Sequence, residues 1–168
     1  MQALDVIGVR MEMPSNNPIV LLREAGGVRY LPIWVGAVEA TAIAFAHQGV
    51  VPPRPLTHDL LKDALEATGA ALVEIQITSL QDGVFYSVLV FASGVEVSAR
   101  PSDAIALALR AGVPIYGAEA VLDEAGIEFP EEDSNPANSD TAQPQVPTDA
   151  ELAQFREFLD QVSPEDFE

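Results

Sequence analysis

Residues 95–109 read Val95-Glu96-Val97-Ser98-Ala99-Arg100-Pro101-Ser102-Asp103-Ala104-Ile105-Ala106-Leu107-Ala108-Leu109. The first five alternate as a strand requires when it shows one face to a core and the other to water. Proline is tolerated at a first helical position, where its missing N–H would have had no partner anyway. The stretch therefore predicts a strand that feeds directly into an apolar helix over Pro101–Ala111, stopped by Gly112. A shift of 64 positions lays a second passage of the same kind over it. Leu31, Ile33 and Val35 fall on Val95, Val97 and Ala99, Glu39-Ala40 falls on Asp103-Ala104, and Ala42-Ile43-Ala44-Phe45 falls on Ala106-Leu107-Ala108-Leu109.

Working outward, each passage follows two more apolar runs. Residues 2–13 alternate in part, and Ile19–Leu22 is divided from Val28–Trp34 by Gly26-Gly27, a hairpin signal. Leu72–Thr78 alternates cleanly, Val84–Ala92 follows the turn Asp82-Gly83, and Val95–Ala99 follows Ser93-Gly94. Gly36–Ala46 reads as a helix buried nearly all round. Thr57–Thr68 reads as an amphipathic helix, with Leu60, Leu61, Ala64 and Leu65 on its apolar face, and Ala118–Leu122 as a short one. The expectation is an α+β fold made of a duplicated β3α2 repeat, three strands then two helices. Its halves share one barrel-like mixed sheet packed with helices. An unrepeated α+β sandwich is the alternative.

Charge divides the chain elsewhere. Of its 168 residues, 8 are Lys or Arg and 26 are Asp or Glu, a formal net charge of -18. Residues 1–128 account for -8 and residues 129–168 for -10. The segment 129–147 holds four prolines and Glu131-Glu132-Asp133 and has almost nothing apolar to bury, so it is expected to be a disordered acidic, Pro-rich linker. Thr148-Asp149-Ala150-Glu151 matches a capping box, and Leu152, Phe155, Leu159 and Val162 form an apolar stripe behind it. Residues 148–168 are thus expected to form a C-terminal amphipathic helix and tail, which docks on its own domain or a sister subunit or binds a protein partner.

Composition excludes several classes of function. With no cysteine there is no disulfide framework, thiolate nucleophile or Cys-ligated zinc, and two histidines leave little for a His-rich site. Any metal would be oxygen-liganded, a divalent cation such as Mg²⁺. No apolar run approaches the ~20 residues that span a bilayer, and the first residues lack a leader pattern, so a soluble cytoplasmic protein with no membrane partner is expected. The acidity argues against nucleic acid, whose affinity rests on neutralised phosphates.

Three groups carry candidate chemistry. Glu39 and Asp103 each stand near the third position of an almost uncharged helix, where a carboxylate suits the helix dipole with no further role. Brought into one cleft, they would instead bind a divalent cation or share acid and base roles. In Pro53-Arg54-Pro55-Leu56-Thr57-His58-Asp59, Thr57 is a natural N-cap and the first turn suits an anion, with Arg54 beside it. His58 is the better candidate for proton transfer, because His47 sits at a helix end where it would cap carbonyls. The plain alternative is an exposed helix start with an incidental His. Arg100 and Ser102, at a strand end that opens a helix, would hold phosphate, or Arg100 would pair with Asp103 or Glu39.

The strings Leu31-Pro32-Ile33-Trp34-Val35-Gly36 with Glu39-Ala40, Arg54-Pro55-Leu56-Thr57-His58-Asp59-Leu60-Leu61, and Arg100-Pro101-Ser102-Asp103-Ala104-Ile105-Ala106-Leu107-Ala108 together resemble the bifunctional nuclease domain family. The resemblance covers residues 1–128. It implies a duplicated β3α2 fold with a barrel-like sheet, a homo-oligomer, and DNase and RNase activity, hence hydrolysis of phosphodiesters with nucleic acid or a nucleotide as substrate. On that expectation Glu39, Asp59 and Asp103 are metal ligands or bases, His58 is the acid or base, and Arg54, Arg100 and Ser102 hold phosphate. Seven cations spread through 1–128 form no basic stripe, so a small nucleotide or a short single strand fits better than a duplex. The other readings are a non-enzymatic oligomeric module that binds an anion or a partner protein, and nucleic-acid binding without cleavage. The tail would occupy the anion site when nucleic acid is absent.

Overall fold

The alternating runs become two three-stranded antiparallel meanders. A computed structural model of the protein describes residues 1–128. The linker expected over 129–147 and the helix and tail expected over 148–168 lie outside the described residues. In the first meander, β1 (Gln2–Glu12), β2 (Asn17–Glu24) and β3 (Arg29–Trp34) turn Leu4, Val20, Leu22, Leu31 and Ile33 into the core. Leu22 lies opposite Leu31 and Val20 opposite Ile33, so the period-2 pattern fixes the register. In the second, β4 (Leu72–Gln81), β5 (Val84–Phe91) and β6 (Glu96–Ala99) contribute Ile75, Ile77, Leu89 and Phe91. Its first turn places Asp82 at φ 50° and Gly83 at φ 78°, the positive pair that a two-residue hairpin needs.

Each meander leads into an 11-residue helix, α1 (Ala37–His47) and α3 (Pro101–Ala111), and the shift of 64 carries the bounds of one onto the other. Beyond them the halves differ. The first continues to α2 (Thr57–Ala67), whereas the second continues through β7 (Ile115–Gly117), α4 (Glu119–Ala125) and β8 (Ile127–Glu128). The second half therefore departs from a β3α2 order. All eight strands form one mixed sheet in the order β6-β5-β4-β7-β1-β2-β3-β8. The three residues of β7 join the meanders, pairing parallel with Ile75–Ile77 of β4 and antiparallel with Gln2–Leu4 of β1.

The barrel expectation is corrected, because this sheet does not close. Its edges are β6, four mostly exposed residues that include Glu96, and β8, a strand of two residues. Short, charged edges are poor partners for closure. The expected burial of the helices is corrected as well. Of α1 only Ala40, Ala42 and Ile43 are buried, while Val38 is exposed. The helix buried nearly all round is α3, which packs on β4 and β5 and is covered by α1 and α2. In α2 the expected apolar face is largely open, with Leu60 and Leu61 exposed, and its one buried residue is His58.

Candidate functional site

Both long apolar helices start where a third strand ends, and α1 packs against α3, so their first turns meet. Gly36 caps α1 in an extended conformation with Glu39 in the first turn. Arg100 does the same for α3, with Pro101 at the start and Asp103 in its first turn. The two carboxylates meet on one guanidinium. Arg100 Nη2 donates to Glu39 Oε1 at 2.8 Å and to Asp103 Oδ1 at 3.1 Å, while Nε donates to Asp103 Oδ2 at 2.7 Å. Glu39 lies folded back over Gly36, where a Cβ would strike its carboxylate.

The third element brings His58. The helix begins one residue earlier than expected from Thr57: Leu56 is the cap, because its N–H donates to Asp59 Oδ2 at 2.8 Å, and Thr57 is already helical. His58 is thereby turned inward, nine-tenths buried, with Nε2 3.2 Å from Asp103 Oδ1. Burial pushes the Asp103 carboxyl up, but hydrogen bonds from Arg100 and then from His58 outweigh it and hold the group below its ordinary value. Its hydrogen bonds to Asp103 and then Glu39 hold Arg100 above its own. An ionised carboxylate only accepts, so the proton of neutral His58 sits on Nε2 and Nδ1 keeps its lone pair. Nδ1 has no partner among the described residues, yet no unpartnered side-chain nitrogen or oxygen is sealed from solvent there. Glu39, His58, Arg100 and Asp103 thus form one connected cluster of formal charge -1 with His58 neutral.

Other expected members lie apart. Asp59 turns to Arg110, a buried cation in the last turn of α3 that also donates to the carbonyls of Ala42 and Ala106. Burial pushes Asp59 up, but the Leu56 N–H and Arg110 more than offset it, leaving the group below its ordinary value. Arg54 is exposed and makes no ion pair among the described residues. His47 does not cap its own helix: Nε2 lies 3.0 Å from the carbonyl of Val6, where β1 bulges. Among the described residues no three His, Asp or Glu side chains converge as a metal ion requires, so Glu39, Asp59 and Asp103 do not fit a shared cation.

Ser102 stands beside the cluster and looks into a cleft of about 530 Å³ that runs from the end of β3 to the β4–β5 turn. Sequence reasoning missed two residues of this cleft, Asn17 and Trp34, and also Arg110. For Trp34 a signal existed: with Leu31 and Ile33 inward, alternation puts Trp34 outward, and an outward tryptophan asks for a reason. For Arg110 there was none beyond a lone charge in an apolar helix.

Residues 20–130 match the family model described as the bifunctional nuclease domain, a span that includes every residue of the cluster and the cleft except Asn17. An uncharacterized protein of Mycobacterium tuberculosis is 53% identical over 162 residues, 96% of this chain and 95% of that protein. Bifunctional nuclease 1 of Oryza sativa subsp. japonica is 31% identical over 116 residues, 66% of this chain and 35% of the rice protein. The bifunctional nuclease of Oryza minuta matches to the same extent.

Proposed function

The chain belongs to the bifunctional nuclease domain family, and on that premise we propose that it hydrolyses phosphodiester bonds of RNA and DNA at the cluster of Glu39, His58, Arg100 and Asp103. The observation that carries this reading is the unbroken chain from a buried imidazole through a charged carboxylate to an exposed guanidinium. His58 Nδ1 takes a proton from the attacking water, whose oxygen bonds to phosphorus as the bond from phosphorus to the leaving oxygen breaks, and returns that proton to the leaving oxygen. Asp103 fixes the imidazole tautomer and favours the imidazolium that forms. Arg100 offers the phosphate its Nη1 donors, which no described residue uses, while Glu39 and Asp103 hold the guanidinium plane. Ser102 supplies a further donor. The reading routes no step through a metal. We place the activity in residues 1–128, with the acidic residues 129–168 acting on affinity.

The test is cleavage of RNA and DNA by rigorously purified protein, with and without chelator. Loss of the proton carrier is expected to cost on the order of 10²- to 10⁴-fold, so His58→Ala and Asp103→Asn should both fall by that range, and chelator should leave the wild type active. Cleavage retained in both variants marks a contaminant and rejects the reading. One observation favours a second reading, a non-enzymatic oligomeric module that binds an anion or a partner protein: Arg100 is already paired with both carboxylates. Under it the purified wild type does not cleave.

A further inference from the structure

Trp34 ends β3 with 54% of its surface exposed, in the cleft that Arg100 and Ser102 also line. Its indole N–H donates to Glu12 Oε2 at 3.1 Å, which anchors the ring and leaves aromatic surface, not a hydrogen-bonding group, for a ligand. Ser102 is only 8% exposed, and its hydroxyl makes no hydrogen bond among the described residues. That atom is not sealed either, so it opens toward the cleft that the residue lines. The side-chain amide of Asn17, exposed on the same cleft, is likewise unused. A volume of about 530 Å³ is within the range of small-molecule sites.

We propose that this cleft is a nucleobase subsite, in which the base of one unpaired nucleotide lies against Trp34 while its phosphate meets Arg100. Ser102 and Asn17 hydrogen-bond the base edge or the sugar. An aromatic surface serves any base that is free to leave a stack, which makes it a feature of single-strand recognition. A paired base has both faces and its pairing edge occupied and does not enter. The ligand is therefore a mononucleotide or a nucleotide within a single strand. The assignment rests on the phosphodiester reading of the Arg100 cluster for its ligand class.

Trp34 is the single tryptophan of the chain, so fluorescence excited at the red edge, where the three tyrosines do not absorb, reports on this cleft. The full chain is titrated with adenosine monophosphate, adenosine and inorganic phosphate. Expected are quenching by the first two and none by phosphate, with the monophosphate binding more tightly than adenosine by a margin that Arg100→Met removes. Measured by calorimetry, Trp34→Leu should weaken the monophosphate about tenfold, Ser102→Ala a few-fold, and Trp34→Phe far less than Trp34→Leu. The subsite is overturned if the monophosphate does not bind the wild type at millimolar concentration, or binds Trp34→Leu as tightly as it does the wild type. None of these measurements involves cleavage, so the two readings fail separately. An inactive protein that still binds through Trp34 keeps the subsite, and an active one whose nucleotide affinity ignores Trp34 loses it.

Discussion

At the scale of single residues, Asp103 holds the cluster together, because it alone touches both His58 and Arg100. Its carboxyl sits below the ordinary value of 3.8 in the folded chain. A group with a depressed folded value contributes stability that is complete above the unfolded value and is lost as pH falls through the folded one. The contribution of Asp103 is therefore expected to decline as pH falls below about 3.8 and to be lost once pH passes the lower folded value. Denaturation midpoints measured at pH 5 and pH 3 should show a smaller acid loss for Asp103→Asn than for the wild type; equal losses would remove the Arg100 and His58 contacts as its cause. Much of this was legible from spacing alone. An acidic residue near the third position of each apolar helix, 64 positions apart, was enough to place Glu39 and Asp103 at equivalent points. Sequence does not state that one arginine would hold both, since that depends on how α1 crosses α3.

At the scale of elements, the least legible feature is the attachment of α2. Its leucine pattern points to a conventional apolar face, yet Leu60 and Leu61 are exposed and the helix is tied instead by His58 to Asp103 and by Asp59 to Arg110. These adjacent residues face different partners on α3, so polar contacts add to a hydrophobic one that is reduced to the partly buried Leu65. Hydropathy reads only apolar burial and has no means of seeing such a joint. Arg110 is 7% exposed at its side chain, and removing one member of a buried pair strands the other. Arg110→Ala should thus lose about 2–4 kcal/mol in equilibrium unfolding, whereas Lys62→Ala, whose partners Asp63 and Glu66 are both exposed, should change little. Similar losses in the two variants would contradict the role given to the α2–α3 joint.

At the scale of the whole molecule, the balance of free cations governs how it meets nucleic acid. Of the seven Lys and Arg in residues 1–128, Arg29, Lys62, Arg100 and Arg110 are engaged in ion pairs, leaving Arg10, Arg23 and Arg54 without one among the described residues. Even if these three and Arg100, through its unused Nη1, all reached phosphates of a single strand, residues 1–128 would give log affinity against log salt a slope no steeper than about -3. Binding measured between 50 and 200 mM salt should show that shallow dependence, and a slope near -5 would point to a basic surface that the described residues do not form. Removing residues 129–168 takes away -10 of the -18 charge and is expected to raise affinity at low salt; unchanged affinity would deny the tail any such influence. The main strands were readable because each is long enough to show alternation. β7 and β8, of three and two residues, are too short to show a period, and what makes them strands is the neighbours they lie between.

The brevity of β7 has a temporal side. β1 and β4 are each made long before Ile115–Gly117, the only strand that lies between them in the sheet. A chain halted ahead of residue 115 would hold both meanders and no strand to join them into one sheet, with β1 and β4 each presenting a row of unpaired backbone donors and acceptors. The single sheet on which both apolar helices rest is thus completed only once residue 117 has been made, and it belongs to neither half by itself.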